Sequence, residues 1–248
     1  MTPRAVAVVI PAHDEGDRIR ACLRSVRAAA TRVALPVATV VTADACTDAT
    51  AALARNEDAH VVETRHGNVG AARAAGIERA LDLLADAGPD VWLAMTDADT
   101  TVPVEWIAHQ LTWAWRGYDA VLGTVRLSPT RPGARHVALH DAEYFRTRGH
   151  AEKTGKAWRH PHVHGAHLGV SAASYTRVGG FAPLPSGEDH DLVHRLLDAG
   201  CRIARTDLYP VHTAARLRGR APGGLADLLA SLRDGDPPPT TAPAPAVA

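Results

Sequence analysis

The sequence predicts an α/β protein with a mostly parallel sheet and helices on both faces. Short apolar runs rich in β-branched residues are each followed by a polar loop and then by apolar residues at helical spacing, repeatedly between Ala5 and Ala114. Strands that alternate with helices imply right-handed crossovers, and so parallel neighbours. The run Val91 to Met95 is apolar at every position, as a strand covered on both faces must be. At 248 residues the chain is long enough for one such domain with a sizeable core.

Ala5 to Ile10 (AVAVVI) reads as a central strand stopped by Pro11, and Ile19, Cys22, Leu23 and Val26 mark the helix after it. Val37 to Thr42 is the second strand, and Ala49 to Arg55 a short helix with Thr47 or Asp48 as its cap. His60 to Glu63 is the third strand. Asn68 caps the helix that follows, whose inner face carries Val69, Ala72, Gly76, Ile77, Ala80, Leu81 and Leu84. After Val91 to Met95 comes a helix with Pro103 in its first turn and Trp106, Ile107, Leu111 and Ala114 inward. All the strand-to-helix loops of this Rossmann-like half, about residues 1–118, collect at the carboxyl edge of the sheet. They bring Asp14, Glu15, Asp44, Asp48, Arg73, Asp97 and Asp99 to one rim, where open α/β sheets bind ligands.

The second half, about residues 119–233, is irregular. Asp119 to Arg126 reads as a strand, Pro129 to Gly133 as a loop, and His136 to about Gly149 as partly helical. His164 to Ser171 reads as a strand, with Gly165 and Gly169 permitting close backbone approach. Ser174 to Val178 is a helical turn ended by Gly179 and Gly180. Glu188 to Ala199 is a helix with Leu192, Val193, Leu196 and Leu197 inside and Gly200 as its stop. Arg202 to Ala204 and Leu208 to His212 are short strands. The segment 234–248 (DGDPPPTTAPAPAVA) is too rich in Pro, Ala and Thr to make a core, and is expected to be disordered.

Lys plus Arg and Asp plus Glu both number 27, so the overall balance points to no nucleic-acid partner. No apolar run is long enough for a transmembrane segment, and no signal-peptide pattern opens the chain, so a cytoplasmic protein is expected. Cys22, Cys46 and Cys201 lie far apart, against a disulfide framework or a Cys-based zinc site. Composition leaves the oligomeric state open.

The apolar run ending at Met95 stops at Asp97 and Asp99. Side chains two apart on an extended segment point the same way, so both carboxylates can address one cation or one ligand. Two carboxylates that close repel each other unless a positive charge lies beside them. The alternative is that Asp97 makes a turn and Asp99 caps the next helix.

Six strings then fall in order: VVIPAHDE at Val8 to Glu15, ADACTDAT at Ala43 to Thr50, GNVGAARAAGI at Gly67 to Ile77, TDADT at Thr96 to Thr100, VGGF at Val178 to Phe181, and GEDHDLVHRLLDAG at Gly187 to Gly200. Together they resemble family-2 glycosyltransferases of the GT-A fold, from Ala5 to about His212. The resemblance implies a single GT-A-like domain over residues 1–233, with a nucleotide-binding half and an acceptor-binding, catalytic half. It also implies an inverting, metal-dependent transferase that moves one sugar at a time from a nucleoside-diphosphate sugar to a small or lipid-linked acceptor. Ala12, His13 and Glu15 would line the nucleoside pocket and Asp44 would contact the base. Arg73 would approach the donor or orient the acidic pair. Asp97 would contact the ribose or the metal shell, and Asp99 of this DxD motif would hold Mg²⁺ or Mn²⁺, with His212 completing the metal site. Asp189, beside Glu188, would be the general base, ionised near a helix N-terminus. The alternative for this last pair is that Ser186, Glu188 and Asp189 only cap their helix. Asp191 is a second candidate base, although it should point about 200° away from Asp189. A surface histidine at a strand end is the alternative for His212. The run Ala215 to Arg220 either closes over the diphosphate or is a solvated basic face.

The chain departs from the family pattern where paired aspartates are common, since the first position is Ala43, and where an aromatic residue is common, since His13 stands there. The processive-synthase signature is absent. His160, His162 and His164 should share one face of an extended segment. That segment either forms a polar acceptor pocket, with His164 and His167 as hydrogen-bonding groups and Trp158 as a sugar platform, or holds zinc. The rival activities are a sugar-nucleotide-binding protein without turnover and a nucleotidyltransferase of related fold. The second is disfavoured because the first loop is acidic where such enzymes carry Gly and Lys or Arg.

Overall fold

The computed structural model describes residues 2–128, 134–146, 148, 158, 160–217 and 225–234. Four strands open the chain: β1 (Ala5–Ala12), β2 (Val37–Asp44), β3 (His60–Thr64) and β4 (Val91–Met95). Between them run α1 (Ile19–Ala30), α2 (Thr50–Asn56) and α3 (Val69–Leu83). Then come β5 (Thr100–Thr101), α4 (Trp106–Trp115), β6 (Ala120–Ser128), α5 (Arg135–Tyr144), β7 (Leu168–Ser171), α6 (Ala172–Arg177), α7 (Glu188–Asp198), β8 (Ile203–Ala214) and α8 (Leu225–Asp234). Among the described residues the strands form one sheet in the order β3-β2-β1-β4-β7-β6-β8-β5. The pairs β3/β2, β2/β1, β1/β4 and β6/β8 are parallel, while β7 runs against both β4 and β6, and β5 against β8.

Alternation along the strands divides the core between the two faces of the sheet. Val6, Val8 and Ile10 of β1, with Trp92 and Ala94 of β4, pack with α1 and α4. Ala5, Ala7 and Val9, with Val91, Leu93 and Met95, pack with α3, α6 and α7 on the other face. Every residue of β1 and β4 is buried, as expected of central strands. Chain order reverses between β1 and β4, so the loops after these two strands diverge at one point. That is where ligands bind in open α/β sheets.

Several sequence expectations are corrected. Pro11 does not stop β1. Val9 O accepts from Thr96 N at 3.3 Å, so Val9 and Pro11, two apart, face β4, and β4 has ended at Met95. The missing N–H of Pro11 therefore has no ladder partner to disappoint. The acidic pair leads into β5, not into a helix; α4 begins only at Trp106, so Asp99 is no helix cap. His164 to Ser171 is a 3-10 turn over Gly165–His167 followed by β7. The two short strands after Arg202 are one strand, β8, with an irregularity opposite Gly123 to Val125. Leu197 is 39% exposed rather than buried. Ser186 does not cap α7, which starts from Gly187 at φ +74° without a side-chain cap. Asp234, expected to open the tail, instead ends α8, and residues 235–248 lie outside the described residues. So do the loop 129–133 and the arginines 218 and 220. Among the described residues no helix is long and apolar enough to cross a membrane.

Candidate active site

The acidic pair sits in a turn closed by Thr100 N donating to Asp97 O at 3.0 Å, just beyond buried Thr96. Asp97 accepts from the Arg73 guanidinium at 2.7 Å, and the same guanidinium pairs with Glu188 at the start of α7. Arg73 reaches this position from the second turn of α3. Its side chain is only 4% exposed and lies near the Phe181 ring. It fits because residue 165 is glycine: a Cβ there would collide with the guanidinium. Burial alone would lower Arg73, but the charges of Asp97, Glu188 and Asp189 outweigh it and hold the guanidinium protonated. One cation shared between two carboxylates under-compensates each of them. Burial, aided by Glu188 and Asp189, accordingly raises the Asp97 carboxyl despite Arg73.

Asp99 lies in a second network. Its Oδ1 accepts from Thr213 Oγ1 at 3.1 Å and from Thr100 Oγ1 at 3.4 Å, and its Oδ2 from Arg216 Nε at 3.1 Å. Arg216 also pairs with Glu15 of the loop after β1. Burial first, then the charge of Asp97, raises the Asp99 carboxyl, with Arg216 and Thr213 opposing. Thus Glu15, Asp97, Asp99 and Glu188 share two guanidinium groups, those of Arg73 and Arg216. A surplus of hard oxygen donors over cations is the donor set that suits Mg²⁺ or Mn²⁺.

His212 is not brought to this set. It is exposed, and the adjacent Thr213, which points the opposite way from the strand, is the residue that meets Asp99. Strand alternation in β8 carries that signal once Asp99 is known to face Thr213. Among the described residues, the His, Cys, Asp and Glu side chains whose ligand atoms lie within 4.8 Å of one another in threes are Asp14, Cys46 and Asp48. Those carboxylates are already used within their loops: Asp14 Oδ1 accepts from Thr47 N and Asp48 N, and Asp48 accepts from Gly16 N and Thr50 N.

On the nucleoside side, Ala12 is buried at the end of β1 and His13 is exposed beyond it. His13 Nδ1 lies 2.8 Å from Asp44 O, a carbonyl that can only accept, so Nδ1 carries the proton and Nε2 is an acceptor while the ring is neutral. The Asp44 carboxylate ties its own surroundings together: Oδ1 accepts from Thr64 Oγ1 at 2.9 Å and His66 N at 2.6 Å, and Oδ2 from Asn68 N at 2.9 Å. Burial would raise it, but these bonds hold it below the usual carboxylate range. Most of its lone pairs are spent before any base arrives.

Asp189 is held at the head of α7, with Oδ2 accepting from Gly165 N and Oδ1 from His190 N, both at 2.8 Å. Asp191 instead pairs with Arg195 at 2.6 Å, one turn on, which takes it out of the cleft chemistry.

Two of the expected acceptor residues, Trp158 and His167, are packed inside the protein. Trp158 is buried against Phe145, His160 and His162, and so offers no sugar platform. His167 is buried under Trp106, its Nδ1 donating to Thr124 O at 3.0 Å, in space that Gly123 leaves by having no Cβ. His160, His162 and His164 do share one face and stack with near-parallel rings about Tyr144. Their Nε2 atoms go to different partners: Leu122 O and Thr206 O for His160, Tyr144 O for His162, the Tyr144 hydroxyl for His164. Rings stacked in this way do not converge on a zinc ion.

The family model described as Glycosyl transferase family 2 matches residues 7–177. No curated protein matches the sequence. Among solved structures, S. aureus TarS (residues 1-349, with UDP-GlcNAc) superposes with TM-score 0.61 at 17% identity, over 87% of this chain and 60% of that one. A mannosyltransferase from Pyrobaculum calidifontis, with GDP-Man and Mn²⁺, gives TM-score 0.58 at 20% identity, over 89% of this chain and 59% of that one. Glucosyl-3-phosphoglycerate synthase from Mycobacterium tuberculosis, with Mn²⁺, UDP-glucose and phosphoglyceric acid, gives 0.54 at 21%, over 94% and 81%. The chain thus spans about 60% of the length of the first two.

Proposed function

The chain belongs to glycosyl transferase family 2, and from that premise we propose that it transfers a single sugar from a nucleoside-diphosphate sugar to an acceptor hydroxyl, with inversion and with the help of a divalent cation. The observation that carries this reading is the meeting of Asp97, Asp99, Glu15 and Glu188 around two guanidinium groups where β1 and β4 diverge, with Asp189 one residue beyond. The three similar structures hold a nucleotide sugar, and two of them Mn²⁺ as well, which supports the donor class.

Asp189 is the general base in this reading. Gly165 N and His190 N hold its carboxylate at the head of α7, where it can take the proton of an acceptor hydroxyl. As the hydroxyl oxygen bonds to the anomeric carbon, Asp189 takes its proton and the bond to the diphosphate oxygen breaks on the opposite face. Among the described residues the other cleft carboxylates, Glu15, Asp97, Asp99 and Glu188, are each paired with a guanidinium, which favours a direct displacement over one through a carboxylate nucleophile. Glu188, bound to Arg73, positions rather than reacts. Arg73 in turn orients Asp97, the second of the roles considered for it. Ala12, His13 and Glu15 border the nucleoside, with His13 Nε2 facing out as an acceptor. Asp99, with Asp97, would hold Mg²⁺ or Mn²⁺, which offsets the charge gathering on the departing diphosphate.

Incubation with Mn²⁺ and a panel of nucleotide sugars should give at least slow donor hydrolysis. Asp99→Ala should abolish it, by two orders of magnitude or more in kcat on the scale of about 10²–10³ for a lost electrostatic stabiliser. Absence of binding of every nucleoside diphosphate by calorimetry, with any divalent metal, would sink the reading.

A further inference from the structure

We propose that Arg216 competes with the divalent cation for Asp99, and passes to the donor diphosphate when the cation takes its place. The inference rests on the function proposed above and adds a residue with two positions to it.

The Arg216 guanidinium bridges Asp99 and Glu15, one carboxylate from each of the two loops that diverge at the switch point. Thr213 and Thr100 hold Asp99 by Oδ1, which fixes the carboxylate in direction and leaves Oδ2 for Arg216. A hard cation bound at Asp99 needs the same outward lone pairs, and an N–H donor and a metal ion cannot share them. Binding of one therefore weakens binding of the other.

Arg73 and Arg216 differ in their freedom to move. Arg73 is walled in by Phe181 and Gly165 with a side chain only 4% exposed. Arg216 is 22% exposed at the cleft surface. Its neighbours anchor the backbone instead: Ala215 is buried and Leu217 half-buried in a small cluster with Leu127, Val137 and Leu229. A fixed backbone with a long side chain at the cleft mouth is the arrangement that swings without unfolding anything. Once released from Asp99, its planar fork suits a phosphate, and the donor brings two phosphates.

The test is Mn²⁺ binding, read by electron paramagnetic resonance of the free ion, on the wild type, Arg216→Gln and Arg216→Lys, with thermal melts to confirm folding. Arg216→Gln should bind Mn²⁺ alone about tenfold more tightly than wild type, a factor equal to about 1.4 kcal/mol. With Mn²⁺ saturating, the same variant should bind UDP or GDP more weakly, by about tenfold for a lost charged phosphate contact. Arg216→Lys, which keeps the charge and loses the fork, should fall between. If Arg216→Gln does not fold, tighter Mn²⁺ binding by Arg216→Lys than by wild type supports the exchange and equal binding overturns it. Unchanged Mn²⁺ affinity in a folded Arg216→Gln overturns it outright, and if nucleotides still bind with metal, the proposed function survives. Tighter Mn²⁺ binding with no nucleotide binding in any variant would uphold the competition and sink the function. No Mn²⁺ binding in any of the three proteins overturns the competition and the metal dependence together.

Discussion

A methyl group on Gly165 would meet the Arg73 guanidinium, and the same residue's N–H holds Asp189. Gly165→Ala should therefore push Arg73 off Asp97 and Glu188, at a cost of about 1–3 kcal/mol for overpacking a tight site. The turnover loss should exceed what that instability explains. Urea unfolding gives the first quantity, and donor hydrolysis well below the unfolding midpoint gives the second. A variant with unaltered stability and turnover would show that Arg73 needs no such space. At this scale the sequence disclosed residue types better than partners. Asp97, Asp99, Arg73 and Glu188 were all legible as candidates. That Arg73 would also bind Glu188, or that Thr213 rather than His212 would meet Asp99, follows from chain segments more than 100 residues apart, which no local spacing encodes. The histidine run was legible as one face, but the backbone partners of His160 and His162 were not. Stacked rings bonded to backbone carbonyls make a core, and only the partners of their nitrogens reveal it.

At the scale of elements, legibility followed burial periodicity. β4 matches its expected bounds because all its residues are apolar, and the Asn68 cap of α3 is found as expected, with Asn68 Oδ1 accepting from Ala71 N at 2.8 Å. β5 is two residues long and polar, so nothing marked it; it is held by its pairing with β8. β8 passes through the polar residues Arg205, Thr206 and Asp207, which read from sequence as a break between two short strands. The same cap also ties elements together, since Asn68 Nδ2 donates to Leu184 O at 2.7 Å in the loop before α7. Asn68→Ala should lower stability by about 1 kcal/mol for the cap, somewhat more with the second bond. Hydrogen exchange should rise in two places, the first turn of α3 and residues 183–187, because one side chain serves both. Exchange confined to α3 would mean that the loop is held by other contacts.

The molecule as a whole keeps a column of neutral imidazoles inside its second half, and this predicts how it responds to acid. Burial lowers His160 to about 3 and His167 to about 4, and His162, His164 and His140 are lowered as well, against about 6.5 in an unfolded chain. Carbonyls already take one ring proton from His160 and His167, and their other nitrogens, His160 Nδ1 and His167 Nε2, are buried without a partner, so a second proton would be both charged and unsolvated. Between pH 6.5 and 4 the unfolded chain therefore binds protons that the folded one refuses. Stability is fully present above pH 6.5 and falls as the pH drops, by about 1.4 kcal/mol per pH unit for each proton of difference. Asp97 and Asp99, whose carboxyls are raised, act in the opposite sense above the unfolded carboxylate value and offset part of this loss. Urea midpoints from pH 7.5 to 4.5 should fall steeply in the upper part of that range, and His167→Asn should start lower but lose less between pH 6.5 and 5. A midpoint that holds constant to pH 5 would mean that the column protonates within the folded state, and that the second half opens locally to admit it.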